Sequence, residues 1–307
     1  MALPDPPHAA APDHDPLAAL DPWLEALPVL PDLVMRLVTL DLHAEGGYDE
    51  VVAIAQEDPT FAARVLSLAN SAALAPGAPV TAIPQAVARV GAWRIAELVA
   101  SMSLQEVFAP RGDAARGLWV HSVETAVLSR GLASLVPGVA PGEAYLAGLV
   151  HDLGRSILLA VAEEEPALLP GFGPAELAVD EVTAMGGLSL ERERRCLDFD
   201  HAAVGGRAAL AIGLGEGLAA RIARHHEPGE DPAASLLALC DAISVHAHLR
   251  PELFVEGTPE GAELEALLER CLPAAWSAQG PLRPADIARG LPALLAEARH
   301  LTERLGG

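Results

Sequence analysis

Lysine is absent from this chain of 307 residues, so its 20 basic side chains are all arginine, set against 42 acidic ones. No side chain can form a Schiff base or offer phosphate a flexible ammonium. Arginine without lysine, beside abundant Ala, Gly and Pro, is also what a GC-rich bacterial genome writes. Basic clusters are missing too, and the formal charge is −22. A nucleic-acid partner needs a basic face to neutralise phosphates, so none is expected. An anionic membrane surface is excluded on the same ground. Aromatics make up only 4% of residues although hydrophobic ones reach 51%. The core must then be Ala, Leu and Val, which favours close helix packing over a β-sandwich. The three cysteines, Cys196, Cys240 and Cys271, form neither a CxxC pair nor a disulfide framework. A reducing, cytoplasmic setting follows. The N-terminus lacks the basic and apolar regions of a signal peptide, and no uncharged apolar run is long enough to predict a membrane span.

Pro, Ala, Asp and His dominate residues 1–22, which are expected to form a disordered tail. From Trp23 onward the apolar spacing is helical and strand patterns are nearly absent, so the predicted class is all-α. Asp49 and Asp58 are candidate N-caps, the latter ahead of Pro59 at a first helical position. A helix is predicted over 118–135, another over 141–161, and others over 191–197, 201–212, 217–226 and 232–248. Beyond Arg250, one or two amphipathic helices should pack on the main body.

Eleven histidines are present, and most of the informative ones sit in apolar helices. His8, His14, His43, His246, His248 and His300 read as solvated. His151 and Asp152, by contrast, interrupt AYLAGLVHDLGRSILLAV, a segment apolar on nearly every face. Burying them is costly unless they bond each other or a cation. His121 lies in LWVHSVETAVL, His201 opens a helix in DFDHAAV, His225 and His226 close one, and Asp241 stands among aliphatics in LLALCDAISV. Imidazole nitrogen with carboxylate oxygen suits Zn, Fe or Mn, or Mg with more oxygens. Core histidines satisfied by buried carboxylates are the alternative.

This pattern resembles the HD superfamily of metal-dependent phosphohydrolases, and more closely the HDOD (HD-related output domain) family. Glu57-Asp58-Pro59, Arg64-Val65-Leu66, Leu68-Ala69-Asn70-Ser71, and Gly91 with Arg94 are similar to the first half of that family. Trp119-Val120-His121-Ser122, Leu149-Val150-His151-Asp152-Leu153-Gly154, Phe199-Asp200-His201 and His225-His226 are similar to the second. The resemblance implies a multi-helix bundle over 23–250, with an N-terminal half at 23–112, an HD-like half at 113–250, and an extension at 251–307. It places His121, His151, Asp152, His201, His225, His226 and Asp241 at positions like the metal ligands of HD-type dinuclear hydrolases, for one or two divalent ions. It assigns no catalytic residue. Cyclic-dinucleotide hydrolases of the superfamily carry Lys where Arg155 stands and a GYP tripeptide where His226–Asp231 runs. They also carry a Glu in place of Gly117, and the step from His226 to Asp241 is shorter here. The resemblance therefore implies a cytoplasmic signal-transduction module that acts on regulatory or signalling proteins, with a nucleotide as a further candidate ligand. A metal-dependent phosphohydrolase or cyclic-dinucleotide phosphodiesterase is the alternative. Asn70 reads as a helix stop in the left-handed conformation, and Arg64 as an ion-pair partner inside the bundle.

Overall fold

The structure, a computed structural model, describes residues 15–30, 32–40, 46–70, 78–107, 112–173, 187–254, 261–272, 276 and 283–305. His8, His14, His43 and Ser71 lie outside the described residues. Every regular element among them is helical. In chain order these are α1 (Asp21–Glu25), α2 (Asp32–Thr39), α3 (Gly47–Glu57), α4 (Pro59–Ala69), α5 (Ile83–Val90), α6 (Ala92–Val107), α7 (Gly112–Ala133) and α8 (Pro141–Val150). Then follow α9 (Leu153–Glu164), α10 (Gly187–Leu197), α11 (His201–Ala211), α12 (Glu216–Ala223), α13 (Pro232–Leu249), α14 (Gly261–Cys271) and α15 (Pro284–Leu305).

Several helix starts are written in the sequence. Pro59 opens α4, and the Phe61 N–H donates to Asp58 Oδ1 at 3.2 Å. Asp200 caps α11 through Ala203 N–H at 2.8 Å, and Asp231 caps α13 through Ala233 N–H at 2.9 Å. Asp49 does not cap α3; Gly46, at φ 90°, precedes that helix and Asp49 falls in its first turn. Asn70 does not take the left-handed conformation expected of it and acts through its side chain instead. Its amide donates to the Leu66 and Val80 carbonyls, and its Oδ1 accepts from Val80 N–H at 2.7 Å. The end of α4 is thereby tied to the segment entering α5.

Order begins earlier than Trp23. A 3-10 turn spans Ala18–Leu20, and Leu17 and Leu20 are buried. Arg207 on α11 donates to both Asp15 and Asp21 at 2.5 Å. The expected tail thus ends too late, because two leucines and two carboxylates anchor 15–22; residues 1–14 lie outside the described residues.

One apolar core runs from Leu20, Leu37, Ile54 and Ile95 through Leu104 and Leu118 to Leu158, Ile212 and Ile222. A second joins Leu128 and Leu132 of α7 to Leu236, Leu239 and Ile243 of α13 and to Leu268, Ile287, Leu291 and Leu295 of α14 and α15. Helix α7 is the spine, with α8, α13 and α15 against it. Pro141–Glu164 and Pro232–Leu249 are long and apolar enough to cross a bilayer, yet 89% and 56% of their apolar windows are buried in this bundle.

The helix predicted over 141–161 is broken. Helix α8 ends at Val150, His151 and Asp152 form the turn, and α9 starts at Leu153. Two glycines make the break compact. A Cβ on Gly148 would lie 2.6 Å from Ala126 Cα, and one on Gly154 1.9 Å from the His201 carbonyl oxygen. Glycine lets α8 press on α7 and α9 on α11, which drives the turn between them into the interior.

Candidate metal centre

Five elements carry the seven residues singled out from the sequence to one place. Helix α7 brings His121, the α8–α9 turn brings His151 and Asp152, and α11 brings His201 at its first residue. The turn after α12 brings His225 and His226, and α13 brings Asp241. His121 Nε2 lies 3.1 Å from His151 Nε2 and 3.1 Å from Asp241 Oδ1. His201 Nε2 lies 2.8 Å from His226 Nε2. Asp152 stands between these groups. Its Oδ2 is 3.8 Å from both His121 and His151 Nε2, and its Oδ1 is 3.4 Å from His201 and 3.9 Å from His225 Nε2. Three overlapping sets could each hold a metal ion: His121–His151–Asp241, His201–His225–His226 and His151–Asp152–His225. Asp241, the residue with the least conforming spacing, is brought in with the rest.

The outward nitrogens are bonded. His151 Nδ1 lies 2.8 Å from the Gly148 carbonyl, His225 Nδ1 2.7 Å from the Ile222 carbonyl, and His201 Nδ1 2.7 Å from Glu193 Oε2. A carbonyl or carboxylate only accepts, so each of these nitrogens carries a proton, and in the neutral imidazole its Nε2 presents a lone pair inward. Glu193 also accepts the His201 backbone N–H at 2.8 Å. His121 Nδ1 lies 3.0 Å from Ser244 Oγ, which in turn donates to Glu124 Oε2 at 2.9 Å.

Burial governs the charges. Burial would raise Asp152, but Arg155 first, then His151, His201 and His121, hold it well below the usual carboxylate range. Asp241 is likewise held low against burial, by its bonds with His121 and His151. Burial and the neighbouring imidazoles push His225 far down, and burial with His201 brings His226 to about 3. His151 goes the other way, because Asp152 and Asp241 outweigh its burial. Arg155 is buried with its Nε 3.7 Å from Asp152 Oδ1. Arg224 is turned to solvent and donates to the Ala220 carbonyl.

Sequence reasoning missed the supporting residues Glu193, Ser244 and Glu124, and it read His248 as solvated. His248 Nε2 is 2.9 Å from Glu124 Oε2. Helical spacing carried the signal. Glu193 shares a face with Leu190 and Leu197, Glu124 follows His121 by one turn, and Ser244 follows Asp241 by one turn.

The sequence profile of the HDOD domain matches residues 27–228. An HDOD domain protein of unknown function from Geobacter sulfurreducens superposes with a TM-score of 0.66 at 23% identity, over 94% of this chain and 97% of that one. A protein from Shewanella amazonensis SB2B, provisionally named a phosphohydrolase, gives 0.64 at 24% identity, over 94% and 98%. These two likenesses are of fold. An uncharacterized Treponema pallidum protein is 24% identical over 148 residues, a match that takes 48% of this chain and 29% of that protein. The profile match spans both the helices before α7 and the turn bearing His225 and His226, so the chain belongs to the HDOD family.

Proposed function

We propose that this chain is a metal-binding regulatory module of cytoplasmic signal transduction, acting through protein partners, with the His/Asp centre as its metal site. One observation carries the reading: acceptors face acceptors. His201 and His225 commit their Nδ1 protons outward, and in neutral form their Nε2 lone pairs point at the Asp152 carboxylate. His225 Nε2 is buried without a hydrogen-bond partner. Uncompensated, such a site costs several kcal/mol, and a divalent cation compensates it best.

The donor set fits an ion. Ligands about 2.0–2.2 Å from a metal stand roughly 3–3.6 Å from one another, and the separations here centre on that range. His121, His151 and Asp241 would hold one ion and His201, His225 and His226 a second, with Asp152 shared. A nitrogen-rich set of this kind favours Zn, Fe or Mn over Mg. When bound, such an ion supplies Lewis-acid polarisation and a more acidic water.

Burial supports a regulatory role over turnover. The His121, His151, His201 and His225 side chains are at most 1% exposed, and Asp241 offers 16%. The second reading, a metal-dependent phosphohydrolase, is favoured by Arg155, whose buried Nε–H has no hydrogen-bond partner and is a directional donor for an anion. Elemental analysis of protein purified without chelator should find bound transition metal; metal-free protein that stays so after incubation with Zn, Mn and anaerobic Fe(II) would overturn the proposal. With bis(p-nitrophenyl) phosphate and Mn(II) we expect no turnover. Turnover that vanishes in Asp152→Ala would establish the hydrolase instead.

A further inference from the structure

We propose that Glu124 is a positioning residue for the centre, acting through Ser244 to fix which nitrogen of His121 faces the metal site. The chain of contacts runs from the surface inward. The His248 imidazole, 43% exposed, meets Glu124 Oε2 at 2.9 Å. Glu124 is buried, and the same oxygen accepts from Ser244 Oγ at 2.9 Å. Ser244 Oγ, also buried, is 3.0 Å from His121 Nδ1. His121 Nε2 then looks at His151 Nε2 and Asp241 Oδ1, each 3.1 Å away.

Hydrogen-bond direction follows from one end of this chain. An ionised carboxylate only accepts, so Ser244 must spend its single proton on Glu124. Its oxygen then has only lone pairs to offer His121, and His121 Nδ1 must be the N–H that donates to it. His121 Nε2 is thereby the nitrogen turned to the centre, where Asp241 Oδ1 stands 3.1 Å away and where a bound metal would take its lone pair. The anchors of His151, His201 and His225 are a carbonyl or a carboxylate in direct contact; His121 alone depends on a hydroxyl, which could point either way. Glu124 removes that freedom. Its position, three residues after His121 on α7, and that of Ser244, three after Asp241 on α13, place both behind the ligand-bearing faces. The bond to Glu124 holds the His248 imidazole above its ordinary range, against burial and the nearby Arg299 of α15, so the chain ends where α15 meets the bundle.

The inference rests on the metal-site reading for its purpose, yet its first test does not. Nitrogen-15 NMR of the imidazoles in the full chain, without added metal, reports the tautomer. We expect a proton on His121 Nδ1 in the wild type. Glu124→Gln introduces an amide that can donate to Ser244, and Ser244→Ala removes the hydroxyl. In both, His121 Nδ1 should lose its proton in part of the population, whereas Ser244→Thr should keep it. Zn(II) titration should then show affinity about 10–100-fold lower in Glu124→Gln and Ser244→Ala, as for lost outer ligands elsewhere, and near wild type in Ser244→Thr. A His121 Nδ1 without a proton in the wild type, or Ser244→Ala with unchanged Nδ1 protonation and Zn(II) affinity, would overturn the proposal. A wild type with the expected tautomers that binds no Zn(II) would remove the metal reading and leave the positioning role standing.

Discussion

Two charged clusters hang on α7, one partly exposed and one buried, and they are built on opposite plans. Around Arg130, at the meeting of α6, α7 and α15, charges balance. Arg130 pairs with Glu97 through its Nε and with Glu297 through Nη2 at 2.9 Å, and Arg94 joins Glu297 at 3.3 Å. Nearby, Tyr145 and Ser101 share a hydrogen bond of 2.8 Å. Two guanidinium groups thus meet two carboxyl groups, and the cluster closes on itself. About His121, a few turns earlier on the same helix, two carboxylates and inward lone pairs meet the single guanidinium of Arg155. A balanced cluster holds helices together by its own means. An unbalanced one, more deeply buried, asks for a positive charge from outside the chain, and that is the physical signature of a binding site.

The largest effect should come from Asp152, which touches both halves of the unbalanced cluster. Asp152→Ala should cost about 3–5 kcal/mol, as for one partner removed from a buried charged set, and it should empty the centre of metal. Chelator should lower the wild-type melting temperature as well, by the equivalent of about 3–4 kcal/mol if the ion was present at 100–1,000 times its Kd. Calorimetric melts with and without chelator check both; a mutant that melts like the wild type would place Asp152 outside any charged network.

Arg130→Leu should cost less, about 2–4 kcal/mol, because Glu97 can take up a proton once its partner is gone. The two clusters part company in the second readout. Metal content and chelator sensitivity should not change in this variant, and a loss of metal would mean that the clusters are one.

Acidity separates them further. Burial, with Glu297 adding to it, outweighs Arg130 and Arg94 and lifts Glu97 to about 7 from an ordinary 4.5. The folded chain then binds a proton that the unfolded chain has released between those two values. Stability should therefore fall as pH rises from about 4.5 to 7, by on the order of 2–3 kcal/mol from this group. Glu97→Gln should remove that contribution to the slope and stabilise the chain above pH 7. Denaturant melts at pH 5 and pH 8 test it, and an unchanged difference between wild type and Glu97→Gln would refute the assignment.

The smallest effect concerns the N-terminus. Removing residues 1–14 should leave the melt unchanged. Removing 1–22 takes away Leu17, Leu20 and the Asp15 and Asp21 partners of Arg207, and should cost about 2–4 kcal/mol from the two leucines. Equal melts for the two truncations would show that this segment is not anchored.

Much of this was legible in the sequence, because the informative residues stood where their chemistry was out of place. An imidazole and a carboxylate in the apolar run around His151 could not be indifferent, and the all-helical class followed from the spacing of Ala and Leu. What was not legible needed three dimensions. The break between α8 and α9 depends on how closely Gly148 and Gly154 approach α7 and α11, which no local pattern states. Asp241 looked ill-spaced because chain separation says little about where α13 lies once α7 has set its place. Glu193 and Glu124 passed as ordinary charges on helices although their spacing put them on buried faces, since only the bundle shows what those faces meet. His248 passed as solvated for the same reason: half of it is, and the other half holds Glu124.

The central claim is that the His/Asp centre is short of a cation. Titration of metal-free protein with Co(II), followed by visible absorption, tests it most directly, since cobalt bound by nitrogen and carboxylate ligands has d–d bands distinct from those of the aqueous ion. The account predicts saturable binding with at least one ion per chain, bands of nitrogen ligation, and their loss in His151→Ala and Asp152→Ala but not in Arg130→Leu. A wild-type spectrum that stays that of aqueous Co(II) throughout the titration would contradict it.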